Sequence, residues 1–367
     1  MPCTPMPVRY QNFLPEQEPD PHDYKVRLVK ELIDHGAVIL AKLLKLQGDG
    51  WNDERIEVHF QKQRDASDNA SPHLEGVWYD KMKGLMKEID TRLKCIPAEG
   101  HLSFLDLGCC PGGFSSYILT KNPASRGIGV SLPVEDGGHK YLLEEHLLTR
   151  HKLIFANLTK YQLNAHSVPD PDLQHLPYDI VKSPFDLVLL DGHQLRTQIS
   201  AKPGDMHRLS ISQLIIALRT VAPGGTIIMK LPLPHKPIAA RILYMLNEIS
   251  TKICRWKPMS IHANRGTFYV VAFGVGLDPK KANLATYLTG LQNLWFSLSY
   301  GGENGGGRYM TDEDLDFIIP VDGIINNHLG WLAEFGNPLW HVQVSALERL
   351  YEKNHRKQCK KSTEDAT

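Results

Sequence analysis

The chain reads as an α/β protein built on a mostly parallel sheet with helices on both faces. Three observations predict this. The stretch FLDLGCCPGGFSSY, residues 104–117, passes from a short apolar strand through a Gly-rich turn into a helix. Downstream of it, short apolar runs alternate with segments of helical period, as successive βαβ units do. Two polar residues, Asp191 and Lys230, stand directly after two of those apolar runs. Sheets of this class bind ligands there, beyond the carboxyl ends of their strands.

The elements follow in order. Six prolines, from Pro2 to Pro21, crowd residues 1–22. Proline at that density supports neither helix nor central strand, so a disordered tail is expected. Apolar residues at three- and four-residue spacing predict a helix over 23–46, ended by Gly48 and Gly50. A shorter helix is expected over 52–64 and a third over 74–93, closed by Pro97 and Gly100. Residues 23–100 thus form helices that pack on the sheet and wall its cleft.

Strand one is 104–107 and strand two 127–130. A helix over 139–148, strand three at 152–155 and a Pro-bearing loop over 163–184 follow, the loop serving as a lid or as a plain insertion. Strand four, FDLVLL at 185–190, is apolar throughout and therefore buried on both faces. A helix over 210–221, strand five at 226–229, a helix over 238–250 and two last strands at 253–256 and 267–273 complete a domain over 101–276. Beyond it, 277–367 reads as a helical appendage. Its helices are placed at 282–300, 311–315, 329–334 and 342–356, with a glycine turn at 301–307 and a basic tail at 353–361.

Composition narrows the function. The 367 residues carry 41 basic and 41 acidic side chains, a net charge of zero. A bulk binder of polyanions is usually basic, so any nucleic-acid contact must be a local patch. The six cysteines show no CxxC and no Cys/His ligand spacing, which argues against a structural metal or a disulfide framework. That usage fits a reducing compartment, cytoplasmic or nuclear. No apolar run reaches the length of a membrane span.

The glycine turn carries the chemistry. Glycines let the backbone approach a ligand closely, and the following helix start offers unpaired N–H groups. The spacing is DLGxxPGGF, which is neither GxGxxG nor a Walker loop, since no Lys-Ser/Thr follows. DLGxxPGGF resembles the S-adenosylmethionine motif of the FtsJ-like RNA ribose 2′-O-methyltransferases, a superfamily that includes the cap 2′-O-methyltransferases of eukaryotes and viruses. LVLLDG, ending in Asp191, resembles the family's second motif, and GGTIIMK, ending in Lys230, its third. The Trp256-Lys257-Pro258 run with Ser260, then Phe268 to Val271, resembles its closing signature. The departures from pattern are similar to those of divergent members found among eukaryotic, especially fungal, FtsJ-domain proteins.

The resemblance implies a Rossmann-like S-adenosylmethionine-dependent methyltransferase sheet acting on RNA, with a protein partner subunit as a further expectation and no membrane. It implies a cofactor site made of Asp106, Gly108, Cys110, Pro111, Gly112, Gly113 and Phe114, with Ser131 and Asn157 where the family holds the cofactor's ribose and adenine, and Asp191 beside the sulfonium. It implies a Lys-Asp-Lys-Glu catalytic set. Lys230 is the base for the ribose hydroxyl and Asp191 orients it. The first lysine falls on Lys87 by spacing from Asp106, or on Lys83 if the intervening loop is longer. The Glu position falls on Thr267, which carries no charge. Two other readings stay open: a degenerate family member that binds cofactor or RNA without catalysis, and a methyltransferase of a small molecule.

Overall fold

The computed structural model describes residues 23–194 and 205–364, apart from 52, 54–55, 59, 63–64 and 66–71. The expected Pro-rich tail and residues 52, 54–55, 59 and 63–64 of the short helix lie outside the described residues.

Seven strands form one sheet. They are β1 (Leu102–Leu107), β2 (Ser125–Ser131), β3 (His151–Phe155), β4 (Phe185–Leu190), β5 (Val221–Pro232), β6 (Lys252–Trp256) and β7 (Thr267–Val275), in the spatial order β3-β2-β1-β4-β5-β7-β6. β1 to β5 run parallel, and β7 slots antiparallel between β5 and β6. The strand order reverses at the β1/β4 boundary, the topological switch where open α/β sheets form their crevice.

The helices are α1 (Tyr24–Asp34), α2 (Val38–Trp51), α3 (Pro72–Leu93), α4 (Gly113–Lys121), α5 (Tyr178–Val181), α6 (Asp205–Thr220), α7 (Pro237–Ile249), α8 (Lys281–Tyr300) and α9 (Val321–Glu364). They cover both faces of the sheet. Period-2 alternation divides the strands between two cores. Leu187 and Leu189 face α3 and α4 through Met86, Ile89, Phe114 and Ile118. Val188 and Leu190 face the other layer, where Leu28 of α1, Leu43 of α2, Ile215 of α6, Leu243 of α7, Trp295 of α8 and Trp340 of α9 belong to one continuous cluster. The additions before and after the sheet therefore share its core.

Three expectations are corrected. The single helix over 23–46 is two helices. Gly36, at φ +97°, takes the left-handed conformation that ends α1, and α2 continues through Gly48 and Gly50 to Trp51. Residues 139–144 are not helical. The Leu142 amide is spent on Pro111 O at 2.9 Å, which lays this segment over the glycine turn, and only a 3-10 helix, Glu145–Arg150, follows. The short helices at 329–334 and 342–356 are parts of α9, 44 residues long, which runs through Pro338. Burial of Ile324, Leu332, Phe335, Leu339, Trp340, Val344 and Leu347 along one side outweighs the poor local propensity of Gly336-Asn337-Pro338. For the 163–184 loop, read as a lid or an insertion, the insertion fits: none of it lines the cleft. Leu163 and Val168 are buried, and Arg219 of α6 and Gln292 of α8 donate to Leu163 O.

Candidate active site

The carboxyl ends of β1, β4 and β5 open into one cleft of about 970 Å³. The glycine turn lines one end through Asp106, Gly108, Cys109, Cys110, Pro111, Gly113 and Phe114. Asp191, His193, Lys230 and Thr267 line the middle.

The turn is held by the sheet. Gly108 N donates to Val130 O at 2.8 Å, and Asp191 N and Gly192 N both donate to Leu107 O. Gly108 sits at φ +85°, and a Cβ there would lie 2.3 Å from Gly192 Cα. Only glycine permits this approach of the β1 and β4 ends. Gln213 of α6 clamps the same corner, its carboxamide pairing with both Gly192 N and Gly192 O at 2.9 Å. Asp106 is buried beneath the turn. Burial pushes its carboxyl up to about 7; the Ser115 hydroxyl, donating at 2.7 Å, works against this, and the Asp191 charge adds to it.

Asp191 and Lys230 form the centre. Lys230 Nζ lies 2.8 Å from Asp191 Oδ1, and the Tyr269 hydroxyl donates to the same oxygen at 2.8 Å. β7 makes this possible: its antiparallel register sets Tyr269 opposite Lys230. Burial alone would raise the Asp191 pKa, but Lys230, His193 and the Tyr269 hydroxyl together hold it below the ordinary value. His193 Nδ1 lies 3.4 Å from Lys230 Nζ. The Lys230 charge first, then burial, depresses His193 to about 4, so it is neutral at pH 7. His262, also lining the cleft, is depressed to about 4, chiefly by burial.

Residues 85–275, just over half of the chain, match the model of the FtsJ-like methyltransferases. The chain belongs to the FtsJ-like methyltransferase family. It is 23% identical over 269 residues to cap-specific mRNA (nucleoside-2'-O-)-methyltransferase 1 of Homo sapiens, covering 68% of this chain and 29% of the relative. The corresponding protein of Bos taurus is 24% identical over the same length and coverage. The chain thus spans under a third of the length of the curated relatives it matches. A structure described as a ribosomal RNA methyltransferase from Plasmodium falciparum is 19% identical, covers 53% of this chain and 96% of its own, and has a TM-score of 0.36. The α/β architecture rests on the strand order rather than on that likeness.

In this FtsJ-like chain the sequence-expected residues are distributed unevenly. Asp106, Gly108, Cys110, Pro111, Gly113, Phe114, Asp191, Lys230 and Thr267 all line the cleft. Gly112, at φ +111°, caps α4, and a Cβ on it would meet the Tyr141 ring at 3.4 Å. Ser131 ends β2 and is buried. Asn157 caps its own 3-10 turn, its carboxamide oxygen accepting from Thr159 N and Thr159 Oγ1. Neither Ser131 nor Asn157 is among the residues lining the cleft.

The helix lysines differ from expectation. Lys83 is committed elsewhere: its Nζ pairs with Glu144 at 2.7 Å in a cluster with Tyr79 and Ser116. Lys87 is exposed, and neither residue lines the cleft; Lys81 does. The cause is the contact between α3 and α4. A Cβ on Gly113 would sit 2.4 Å from Tyr79 O and 2.6 Å from Lys83 N, so the α3 backbone lies directly on the start of α4. That contact sets the roll of α3.

Thr267 lies on the strand face of Tyr269, two residues away, and so diagonal to Lys230. Buried Lys257, which burial lowers to about 7, donates to Thr267 O at 2.9 Å and to Arg265 O, closing the β6–β7 loop. Glu88 of α3 anchors the same loop by accepting from Trp256 Nε1 and Met259 N. His262 and Gln213 were not singled out from the sequence, and Tyr269 entered only as part of the closing signature, with no role in the site. Among the described residues no group of three or more His, Cys, Asp or Glu side chains is placed to hold a metal ion.

Proposed function

We propose that the chain transfers a methyl group from S-adenosylmethionine to a ribose 2′-hydroxyl of RNA. The observation that carries this is the Asp191–Lys230 pair, set in the same cleft as the glycine turn. Family membership and the activity for which the relatives are named support the same chemistry.

The residues present fit the cofactor. The turn between β1 and α4 lines the cleft beside Asp191, and the start of α4 offers its amides. Asp106, Gly108 to Phe114 and Asp191 would hold it; Ser131 and Asn157 stand at the β2 and β3 ends, outside the cleft lining. When bound, S-adenosylmethionine supplies a methyl group on a sulfonium, an electrophile that needs alignment more than activation. The 2′-hydroxyl is the difficult partner because it is a weak acid. Lys230, once its ammonium proton has been lost, would take the proton of the 2′-hydroxyl as the 2′-oxygen accepts the methyl group. Asp191, fixed by the Tyr269 hydroxyl, orients Lys230. Neutral His193 offers an acceptor beside Nζ. Alignment of the hydroxyl supplies much of the remaining acceleration.

Thr267 in place of a Glu favours the reading of a binding protein without catalysis, and the intact Asp191–Lys230 pair speaks against it. The test is labelled-methyl transfer to RNA beside calorimetric titration with S-adenosylmethionine. The wild type is expected to bind cofactor and methylate RNA. Lys230→Ala should keep binding and lose transfer, and Gly112→Asp should lose both. Full transfer by Lys230→Ala would remove Lys230 as the base. No cofactor binding by folded wild type would overturn the enzyme reading.

A further inference from the structure

Two walls of the cleft come from parts of the chain that lie outside the family match. One wall is α3, which presents Leu74, Val77, Trp78 and Lys81. The other is α9, which presents Ala346, Arg349, Leu350 and Lys353. Each set has the spacing i, i+3, i+4, i+7, so each is one continuous face of its helix. The β6–β7 loop, with Arg265, lies between them. The FtsJ-like match ends at residue 275, so the α9 wall is a feature of this chain's own C-terminal region.

Outside the Asp191–Lys230 pair, the charges in the cleft are segregated. The carboxylates among its lining residues, Asp106 and Asp191, sit at the glycine turn and the catalytic pair, and burial brings Asp106 to about 7, partly neutral. The cations Lys81, Arg265, Arg349 and Lys353 belong to the outer walls and loop. Glu348, next to Arg349 in sequence, pairs instead with Lys42 of α2 at 2.6 Å. The Lys81 ammonium stands 4.8 Å over the Trp78 ring, which is half-buried.

The α9 wall is firmly placed. Phe335 and Trp340 are buried against the sheet layer. Gln343 donates to Asn264 O of the β6–β7 loop, and the Tyr351 hydroxyl donates to Leu46 O at 2.6 Å. Arg349 and Lys353 flank that last anchor and are exposed. A fixed helix carrying two cations one turn apart suits a phosphate backbone, which such contacts position without reading sequence.

We propose that α9 is the second wall of a channel for single-stranded RNA. Arg349 and Lys353 hold phosphates of the substrate strand, and Trp78 with Lys81 receives a base face on the opposite wall. This rests on the RNA reading above and adds where the strand runs. A cationic groove with an aromatic platform is the usual design for binding an unpaired strand.

The test is fluorescence anisotropy of a labelled single-stranded RNA oligonucleotide over a range of salt concentrations. It compares the wild type with Arg349→Ala/Lys353→Ala, with Trp78→Ala, and with the distant surface change Lys152→Ala. Cofactor titration and methyl transfer to RNA run alongside. Losing two phosphate contacts is expected to weaken binding about tenfold and to reduce the salt slope by about 1.4, from roughly 0.7 per phosphate on single strands. Cofactor affinity stays constant. Trp78→Ala is expected to weaken binding by about tenfold with the salt slope unchanged, and Lys152→Ala to match the wild type. If wild type methylates RNA but the double variant keeps its affinity and slope, the α9 wall is overturned and the RNA reading stands. A parallel loss of cofactor affinity in the double variant would also overturn it, because the effect would then run through the fold. A wild type that binds cofactor but neither binds nor methylates RNA overturns both.

Discussion

Replacing Lys230 by Met removes the ammonium from the centre of the site and keeps most of the aliphatic volume. The pair it breaks is largely out of water, with the Asp191 and Lys230 side chains 8% and 17% exposed. Removing one partner of a buried pair leaves an uncompensated charge and costs roughly 3–5 kcal/mol. The Tyr269 hydroxyl still donates to Asp191, and Lys230 retains some water, so about 3 kcal/mol is expected.

The sign of the pH dependence follows from the site. In the wild type the Asp191 pKa is lowered, because Lys230, His193 and Tyr269 outweigh the opposing effect of burial. The pair therefore stabilises the fold above the unfolded carboxyl pKa of about 4 and less below it. In Lys230→Met burial is largely unopposed, so the folded pKa rises above the unfolded one. The native state of the variant then loses stability as pH rises through that new value. The difference between the two proteins should be small near pH 4 and complete by pH 8. Urea denaturation at both pH values measures it. Asp191→Asn and the double variant close a cycle whose coupling energy should reach about 1–3 kcal/mol. The His193 resonance should also titrate above its wild-type value of about 4, since the Lys230 charge is the first cause of that depression. A loss under about 1 kcal/mol at pH 8, or an equal loss at both pH values, would refute this account of the pair.

Two further outcomes are expected. Thr267→Glu puts a carboxylate diagonal to Lys230 on the same strand face, so methyl transfer should hold or rise relative to wild type; a folded, cofactor-binding but inactive variant would show that the position does not serve as the family's Glu. His235 is fully enclosed, accepts from Trp340 Nε1 at 3.2 Å, and is depressed to about 3 by burial. The unfolded chain takes up a proton there near pH 6.5 that the native chain refuses, so His235 costs no stability above that pH and lowers it as the pH falls toward the folded value. Between pH 6 and 4.5, stability measured by urea should fall less steeply in His235→Gln than in wild type, by about 1.4 kcal/mol per pH unit; equal slopes would contradict the assignment.

What the sequence determined by itself was local. The β1 strand, the glycine turn and the start of α4 lie within fourteen residues, and short-range sterics specify them. Asp191 and Lys230 follow apolar strands, so period and position together located them at one edge of the sheet. The fold class followed from the alternation of those same signals. Packing between distant segments decided the rest. No local pattern records that β7 runs antiparallel between β5 and β6, yet that choice brings the Tyr269 hydroxyl to Asp191. Three lysines share α3, and residues 81 and 83 point about 200° apart around a helix. Which of them reaches the cleft depends on the roll of α3, set by the approach of Tyr79 and Lys83 to Gly113. Residues 139–144 carry a helical pattern, but the amide of Leu142 is more strongly claimed by Pro111 O across the turn. α9 joins segments that read as separate short helices because its apolar side meets α1, α2 and α7 along its length. Its cations reach the cleft from more than a hundred residues beyond Lys230, a separation that only a shared core can bridge.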